Sequence, residues 1–488
     1  MKQDSRKLVV VGHGAAGLAA ALSAAEQARS RGLRIDITLL EKSREDDSGG
    51  NTRWSPCYMR LAAPNRLAPG FEDDMRVASG GLADRNYFRT LAEHATATIW
   101  WLESHGVEFD TPIYYLSAGP PRIQPVGGGS TIVAKLSDAA KKAGAKVLYE
   151  TAAIRLVMAE SRGIRGVEIQ SSDGVTTTLD ADAVVLASGG FQGNATMMRA
   201  HFGPAGATIK LISPGTRFDT GDGIRMAVER GATVSGDWGG MHAEPIDPRS
   251  KNSAPVVLVY PYGIVVDQNG CRFFDEGGGL VHETWEVFAR DTHFARPRSI
   301  TYAILDSSLF DIPGFERAIR SDMPPVQAET LEELAEQLGI PAHNLRQTID
   351  AFNAAATGDV ALFDASRCDG LATANELKPP KSNWARPVTK PPFLAYPLVG
   401  AIAYTFGGLA TNEKAEVSGE RGPMPGLYAA GETTGHFYGT APNAVSVLRA
   451  LVFGKIAGRH AVDFLQTRSH RTGPCRIQLK DKENDNDF

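Results

Sequence analysis

The sequence predicts an α/β protein whose Rossmann-like domain is interrupted by an inserted α+β region, and three observations support this prediction. A strand, a glycine-rich turn, a helix and a second strand follow one another in residues 7–41. Further strand-and-turn units recur in residues 181–194 and 426–432. Between them, from about residue 236, the pattern changes to strands, a glycine-rich loop and two helices with polar faces. At 488 residues the chain is also longer than the ~150–200 residues that one hydrophobic core usually spans.

Composition and charge exclude several classes of protein. A hydrophobic content of 42% and a charged content of 22% are those of a globular chain. The net charge of −5 gives no reason to expect a nucleic-acid partner. The cysteines form no CxxC pair, which argues against a disulfide scaffold, a zinc ribbon and an iron–sulfur cluster and favours a reducing, cytoplasmic compartment. They are Cys57, Cys271, Cys368 and Cys475.

An uncharged stretch near the N-terminus, residues 8–25, is almost long enough to suggest a membrane span or a signal peptide. It contains Gly-His-Gly and a further glycine, which suit an uninterrupted apolar helix poorly and suit a nucleotide-binding turn well. We therefore expect no membrane span.

The first strand–turn–helix unit carries a dinucleotide-binding pattern. The β-branched run KLVVV precedes GHGAAG, an alanine-rich helical segment and a second strand that ends at Glu41. Gly12 permits the tight turn, Gly14 lets the backbone approach a pyrophosphate, and Gly17 lets the helix pack closely on the strand. The start of the helix offers free N–H groups to phosphates, and Glu41 is placed to accept hydrogen bonds from ribose hydroxyls.

The dinucleotide pattern alone does not choose between FAD and NAD, but later segments allow the backbone to lie close to a second part of a long cofactor. A second small-residue loop, SGGNT at residues 48–52, follows the second strand closely. The segment ADAVVLASGGFQGN then gives a strand and a Gly-Gly turn, and GLYAAGE gives another strand that ends in Gly-Glu. A helical pattern at residues 444–458 comes last.

These motifs, in this order, resemble the FAD-binding parts of the fumarate reductase/succinate dehydrogenase flavoprotein superfamily. Within it the chain looks most like tricarballylate dehydrogenase-type proteins and more distantly like 3-ketosteroid dehydrogenases. The resemblance implies a Rossmann-like (GR2-type) FAD-binding domain in residues 1–235 and 391–466, an α+β capping domain in residues 236–390 that closes over the flavin, and a polar, disordered tail in residues 467–488.

The resemblance also implies non-covalent FAD, because the flavin-linked histidine of the respiratory members has no counterpart in residues 51–60. The helix that begins near Ala444 places its positive end at the flavin pyrimidine ring, which favours an anionic reduced flavin. The residues expected to hold FAD are Gly12, Gly14, Ala15, Ala16, Gly17, Glu41, Lys42, Gly49, Gly50, Asn51, Thr52, Ser188, Gly189, Gly190, Gly431, Glu432, Ser446 and Val447.

In this superfamily the substrate is a carbon–carbon bond next to a carbonyl or carboxylate. One carbon exchanges a hydride with flavin N5, and its neighbour exchanges a proton with a protein group. Fumarate reductases use an arginine soon after an R-F-x-x-E element as proton donor. Here Glu276 is followed by GGGLVH, and the first arginine is Arg290. Either Arg290 returns to the site or His282, a better base, transfers the proton.

Further candidates come from positions where the chain departs from the family. Tyr404 stands at the family's substrate-binding histidine, where a tyrosine can donate to an oxyanion or, with a depressed pKa, act as a base. His242 stands where the family has a histidine at the start of the capping domain. The family's carboxylate-clamping arginine is missing from residues 435–443, and Arg53 is a candidate substitute. Three tyrosines could instead surround a neutral ring or ketone, namely Tyr114, Tyr115 and Tyr438.

The sequence thus predicts an FAD-dependent dehydrogenase that desaturates a bond next to a carbonyl or carboxylate of a small molecule. Reduction of an unsaturated acid and desaturation of a cyclic ketone are alternatives, and the electron acceptor could be oxygen, a quinone or a redox protein. A flavoprotein without turnover is a further alternative, against which the capping segment argues. A nicotinamide-dependent dehydrogenase is another, and it predicts a colourless protein.

Overall fold

The computed structural model describes residues 5–113, 115–116, 119–159 and 163–469. The strands are β1 (Arg6–Val11), β2 (Ile35–Leu40), β3 (Leu61–Ala63), β4 (Arg66–Leu67), β5 (Phe109–Asp110), β6 (Gln124–Pro125), β7 (Lys146–Leu148), β8 (Thr151–Met158), β9 (Ile164–Ser171), β10 (Thr176–Asp180), β11 (Ala183–Leu186), β12 (Lys210–Leu211), β13 (Val234–Ser235), β14 (Met241–Ile246), β15 (Ile264–Val266), β16 (Thr301–Leu305), β17 (Val326–Ala328), β18 (Phe393–Thr405), β19 (Gly408–Leu409), β20 (Glu416–Gly419) and β21 (Gly422–Ala429). The helices are α1 (Ala15–Ser30), α2 (Gly50–Trp54), α3 (Phe71–Ala78), α4 (Arg85–Ser104), α5 (Gly128–Lys142), α6 (Ala195–Gly206), α7 (Asp222–Val228), α8 (Val281–Ala295), α9 (Leu331–Leu338), α10 (Ala342–Ala355) and α11 (Ser446–Ser469).

The main sheet joins both ends of the chain. Its strand order is β20–β21–β11–β1–β2–β7, and every neighbouring pair except β20–β21 is parallel. Leu8 and Val10 of β1 pack with α1 and α11, while Val9 and Val11 face the antiparallel strands β8 and β9. A parallel strand covered on both faces needs apolar residues at successive positions, which explains the run LVVV. The predicted α/β, Rossmann-like fold is confirmed.

Helices α1 and α11 cross in close contact because small residues face each other. A Cβ atom added at Gly458 would overlap the Ala20 carbonyl oxygen, and Gly454 approaches α1 equally closely one turn earlier. The Ser23 hydroxyl donates a hydrogen bond to the Lys455 carbonyl oxygen at 3.1 Å. The crossing therefore fixes the start of α11 relative to the glycine-rich turn that precedes α1.

The inserted region is built on a second sheet around the long strand β18. This strand pairs with β14, β16 and β17 in antiparallel fashion and with β12 in parallel fashion, and β15 extends the sheet beyond β16. Helices α8, α9 and α10 cover it with apolar side chains such as Phe288, Leu334 and Phe352. Because β18 starts at Phe393, this sheet includes residues beyond the expected boundary at residue 390. The division into residues 1–235, 236–390 and 391–466 stays a prediction.

The C-terminal helix continues further than the sequence indicated. α11 reaches Ser469 and so includes the first residues of the segment expected to be a polar tail. The rest of that expected tail, residues 470–488, lies outside the described residues. In the described part of the chain, every helix is too short or too polar to cross a bilayer.

Candidate active site

One cavity runs from the main sheet into the inserted region. Its volume is about 1850 Å³ when the space at its open mouth is included. Residues at or just after the carboxyl ends of four parallel strands line one half, namely Val11, Leu40, Ala187 and Ala430. Ligands of parallel α/β sheets bind at the carboxyl ends of the strands, so this cavity is the candidate site.

The glycine-rich turn forms the wall of the cavity at the start of α1. Gly12 has a φ angle of +108°, and an added Cβ atom would overlap the Ala187 carbonyl oxygen. Gly14 is not crowded, since an added Cβ would make only ordinary contacts, the nearest with Thr52 Oγ1 at 3.6 Å. The same Thr52 oxygen accepts a hydrogen bond from the Ala15 backbone N–H at 3.2 Å. The turn therefore exposes its backbone to the cavity, as close approach of a pyrophosphate requires.

Glu41 is buried and held in one orientation at the same end of the cavity. Its Oε2 accepts a hydrogen bond from the His13 backbone N–H at 3.2 Å, and its Oε1 accepts one from the Ser43 N–H at 2.8 Å. A carboxylate oxygen can accept more than one hydrogen bond, so ribose hydroxyls can still bind here. The neighbouring Lys42 forms an ion pair with Asp222 at 2.8 Å.

Two buried carboxyl groups lie further along the wall. Glu432 Oε1 accepts a hydrogen bond from the Thr405 N–H at 2.9 Å, and Gln192 Nε2 donates to Glu432 Oε2 at 3.3 Å and to Asp219 Oδ2 at 2.8 Å. Burial raises the pKa of Glu432 to about 7. Burial and the nearby Glu432 raise the pKa of Asp219 well above its usual value. The pair can therefore bind a neutral polyol such as a ribityl chain without burying two negative charges.

Most of the residues expected to hold FAD line this cavity. They are Gly12, Gly14, Ala15, Ala16, Glu41, Lys42, Gly50, Asn51, Thr52, Ser188, Gly189, Gly431, Glu432, Ser446 and Val447. Gly17, Gly49 and Gly190 lie behind the wall instead. At Gly17 an added Cβ would overlap the Gly12 carbonyl oxygen, and at Gly190 it would overlap Glu432 Oε1, so both glycines let the wall pack closely.

The other half of the cavity contains Tyr404, at the end of β18. Its ring stacks on that of His242, with the two centroids 4.9 Å apart. Burial raises the pKa of Tyr404 well above its usual value, and the Glu286 carboxylate adds to that rise. Arg449 and a hydrogen bond with Ser446 act in the opposite direction. Tyr404 is therefore a neutral phenol that holds its proton across the physiological pH range.

His242 is buried between two carboxylates. Its Nδ1 lies 2.8 Å from Glu286 Oε2, and its Nε2 lies 3.1 Å from Glu244 Oε1. Burial alone would lower the pKa of His242, but the hydrogen bonds to Glu244 and Glu286 raise it to about 9. The ring is therefore an imidazolium at neutral pH, and it places a positive charge against the face of Tyr404.

Two arginines that the sequence did not single out line the same chamber. Arg122 is 3% exposed and stacks over the Tyr58 ring, with Cζ 3.7 Å from its centroid. Arg320 donates a hydrogen bond from Nη2 to the Tyr58 hydroxyl at 2.7 Å. His282 lines the cavity as well, and burial together with the charges of Arg60 and Arg122 lowers its pKa to about 4. His282 is therefore neutral, and the charged groups at this end of the chamber are the guanidinium groups of Arg122 and Arg320 and the carboxylate of Glu244, which acts electrostatically on Arg320.

Three other expected residues do not line this cavity, and their roles stay predictions. Arg290 does not line the cavity, because its guanidinium extends toward the Gly239 carbonyl oxygen at 3.5 Å. Arg53 donates to the Ser48 carbonyl oxygen at 3.2 Å and is likewise absent from the lining. The Tyr438 hydroxyl accepts a hydrogen bond from the Gly236 N–H at 3.0 Å and also lies outside it.

The remaining two tyrosines differ from each other. Tyr115 does line the chamber, where it packs edge-on against Trp285 with ring centroids 5.8 Å apart. Tyr114 lies outside the described residues.

The two halves of the cavity suit two different molecules. One half presents backbone and buried acids to a dinucleotide, and the other presents a proton-bearing phenol and guanidinium groups to a second, smaller molecule. This arrangement is typical of a flavin-dependent oxidoreductase, in which the inserted domain helps to enclose the substrate.

Comparison with known proteins identifies the family. The chain matches the FAD binding domain family over residues 7–446 and belongs to it, and FAD is its cofactor. A vinyl phenol reductase of Lactiplantibacillus plantarum is 29% identical over 96% of this chain and 98% of its own length. A probable fumarate reductase of Shewanella frigidimarina is 28% identical over 94% of this chain and 76% of its own length.

A solved structure agrees with these relatives. The open conformation of a flavocytochrome c3 fumarate reductase shares the fold with a TM-score of 0.74 at 24% identity, and the match covers 95% of this chain and 79% of that one. The resemblance to the fumarate reductase superfamily is confirmed. The finer likeness to tricarballylate dehydrogenases and the non-covalent attachment of FAD stay predictions.

Proposed function

We propose that this enzyme transfers a hydride between FAD and a carbon–carbon bond next to a carboxylate or carbonyl group, and that it reduces the double bond of a small unsaturated acid. The observation that carries the proposal is the presence, in one chamber, of the protonated Tyr404 and of the guanidinium groups of Arg122 and Arg320. Bound FAD supplies the hydride when it is reduced and accepts it when it is oxidised.

The arginines support a carboxylate as the activating group. Arg122 is held by stacking on Tyr58, and Arg320 is held by its hydrogen bond to the same tyrosine. Such prepositioned guanidinium groups bind a carboxylate through charge-assisted hydrogen bonds. The same positive charges withdraw electron density from the double bond of a bound acid and so favour attack by a hydride.

Tyr404 supports proton donation at the neighbouring carbon. A group whose pKa is raised keeps its proton and serves as an acid, provided that the phenolate left behind is stabilised. The imidazolium of His242 lies against the Tyr404 ring, and Arg449 also acts electrostatically on it. Both cations stabilise the phenolate as it forms, whereas burial and the carboxylates of Glu286 and Glu244 oppose it.

The sequence alone favours dehydrogenation, but the protonation states of Tyr404 and His282 favour reduction. Dehydrogenation needs a base, and a phenol with a raised pKa is a poor base at neutral pH. His282 is neutral and can accept a proton, but its lowered pKa makes it a weak base. The two relatives described above are both named as reductases, which supports the same direction.

A second candidate function, desaturation of a cyclic ketone, is favoured by the aromatic side of the chamber. Tyr115 and Trp285 pack against each other there and offer an apolar surface to a ring. A ketone does not need the arginines, so the two functions differ in their dependence on Arg320.

The test is anaerobic mixing of the dithionite-reduced enzyme with acrylate, fumarate, cinnamate, a vinyl phenol and cyclohexenone, followed through the return of flavin absorbance. We expect rapid reoxidation by at least one of the acids and slower reoxidation by the neutral compounds. Arg320→Met should abolish the preference for acids, whereas the control Arg290→Met, outside the cavity, should keep it. Reoxidation by the neutral compounds alone, or equal effects of both variants, would contradict the proposal.

A further inference from the structure

Arg449 is a buried cation in the wall of the flavin half of the cavity. In the proposed reaction it neither binds the substrate nor transfers the proton. It is 1% exposed and lies in the first turn of α11, two residues after Val447, which with Ser446 is expected to face the flavin pyrimidine ring. Its neighbour Ala450 lines the same wall and packs near Gly431. The guanidinium therefore lies at the flavin half of the cavity.

The protein satisfies this guanidinium only in part. Nη1 donates to the Thr434 carbonyl oxygen at 3.3 Å, and Cζ lies 3.8 Å from the centroid of the Phe437 ring. Nε is buried and makes no hydrogen bond within the described residues. No carboxylate of the described residues lies within ion-pair distance of it. A charge buried without a counter-ion costs several kcal/mol, which indicates that an anion completes its environment when the site is filled.

The titratable groups around Arg449 respond to its charge. It lowers the pKa values of Glu432 and Tyr404, which line the cavity, and those of Tyr87 and His436 behind it. Burial, aided by Arg449, lowers the pKa of His436 to about 3, so that ring is neutral and adds no second cation. Glu432 accepts hydrogen bonds from Thr405 and Gln192, and its raised pKa leaves it partly protonated near neutral pH. None of these groups is therefore a full counter-ion for Arg449.

We propose that the positive charge of Arg449 stabilises the reduced, anionic form of the bound flavin more than the oxidised form. Two electrons and one proton give flavin a negative charge, and two electrons and two protons give a neutral product. A buried guanidinium next to the pyrimidine end favours the first outcome. It adds a full charge to the partial positive charge of the α11 N-terminus.

The test measures the midpoint potential of bound FAD by anaerobic dithionite titration against a reference dye at pH 8, above the pKa of Glu432. Arg449→Gln keeps a donor for the Thr434 carbonyl but removes the charge. A buried opposite charge shifts a protonation equilibrium by about ten- to a thousandfold. We expect the reduced form to lose at least tenfold in relative stability, which is about 30 mV for a two-electron couple. Arg449→Lys keeps the charge and should change the relative stability of the reduced form less than threefold.

Lys455→Gln is the matched control, because it removes a buried amine from the same helix. Burial lowers the pKa of Lys455 to about 8, so this amine is half protonated at the pH of the measurement. Lys455 stacks over Trp101, with Nζ 4.7 Å from the ring centroid, and it does not line the cavity. The proposal would be overturned if the relative stability of reduced and oxidised flavin in Arg449→Gln lay within threefold of the wild type. An equal shift of the midpoint potential in the control would also overturn it.

Two further readouts cover a variant that binds FAD poorly. Loss of FAD from the Gln variant alone would support a role of the charge, whereas loss from the Gln and Lys variants alike would show that shape holds the cofactor. The near-ultraviolet spectrum of the fully reduced enzyme separates anionic from neutral flavin. As the pH is lowered, the reduced flavin of Arg449→Gln should take up its second proton at a higher pH than that of the wild type. An unchanged pH of this protonation would count against the proposal.

Discussion

Replacement of Tyr404 by phenylalanine isolates the proposed proton transfer. The substitution removes one hydroxyl and leaves the ring, which stacks on His242 and packs near Phe406 with centroids 6.1 Å apart. The loss of one hydroxyl should cost about 1 kcal/mol of folding free energy, so the variant should fold and bind FAD. Its effect on the reaction should be much larger than its effect on stability.

The magnitude follows from the role and the burial of the hydroxyl. A positioned general acid contributes about 10²–10⁴-fold to a rate, which corresponds to about 3–5 kcal/mol of barrier. Since Tyr404 lies in a buried wall, water is poorly placed to replace it, and we expect a loss in the upper half of that range. The binding of the acid should change little, because the arginines that are proposed to hold it are untouched.

The assay is a single turnover of reduced enzyme with a saturating unsaturated acid, followed by flavin absorbance and by product analysis. Tyr438→Phe is the matched control, because that hydroxyl binds the Gly236 N–H outside the cavity. A Tyr404→Phe variant that keeps more than a third of the wild-type rate would refute the assignment. So would an equal loss in the Tyr438 variant, because the effect would then be structural.

Three further predictions concern the acid-binding end, the imidazolium and the helix crossing. Arg320→Met should raise the KM for an unsaturated acid about 10–100-fold, since a hydrogen bond to a charged group contributes about 1.5–3 kcal/mol, and the KM for a neutral enone measured in parallel should not change. The reduction rate should fall as the pH rises through about 9, where His242 loses its proton, and Glu286→Gln should move this midpoint to lower pH because it removes one of the two carboxylates that raise the pKa. An unmoved midpoint in the pH–rate profile would assign the titration to another group. Gly458→Ala should lower the unfolding temperature and weaken FAD binding, since overpacking costs about 1–3 kcal/mol. Calorimetry and FAD titration check this against Arg459→Ala on the exposed face of the same helix, and equal effects of the two variants would contradict the reasoning.

The nucleotide half of the site could be predicted because its signals are local. The turn around Gly12 must have its glycines at fixed spacing, and the acid Glu41 must end the next strand, so the pattern is readable in a continuous stretch of sequence. Glu432 is readable for the same reason, at the end of another buried strand. The structure places all three in the wall of the cavity.

The substrate half could not be read in this way, because its residues come from segments without a distinctive local pattern. Arg122 follows two prolines, and Arg320 lies just after a short 3₁₀ turn. Arg122 precedes a bridge between Ile123 and Met59, and Arg320 follows one between Ile319 and Val257, so only such long-range contacts bring the two positions together. The sequence suggested Arg290 and Arg53 as candidates, but their guanidinium groups contact the carbonyl oxygens of Gly239 and Ser48, and neither residue lines the cavity.

Asp219 illustrates a third kind of limit. From sequence alone, a single aspartate in a loop is predicted to be exposed to solvent, since aspartate is rarely buried without a partner. Its burial depends on the amide of Gln192, which bridges it to Glu432. Such a bridge becomes visible only once three separate segments have folded against each other.

The crossing of α1 and α11 has a consequence for how the protein is made. The Ser23–Lys455 hydrogen bond joins positions 432 residues apart in the chain. At a synthesis rate of about 5–20 residues per second, the alanine-rich face of α1 waits about 20–90 s on the ribosome before its partner helix exists. During that interval the nascent chain exposes the apolar surface of α1 that α11 covers in the folded protein, so we expect chaperone capture of the chain to end once α11 has docked on α1.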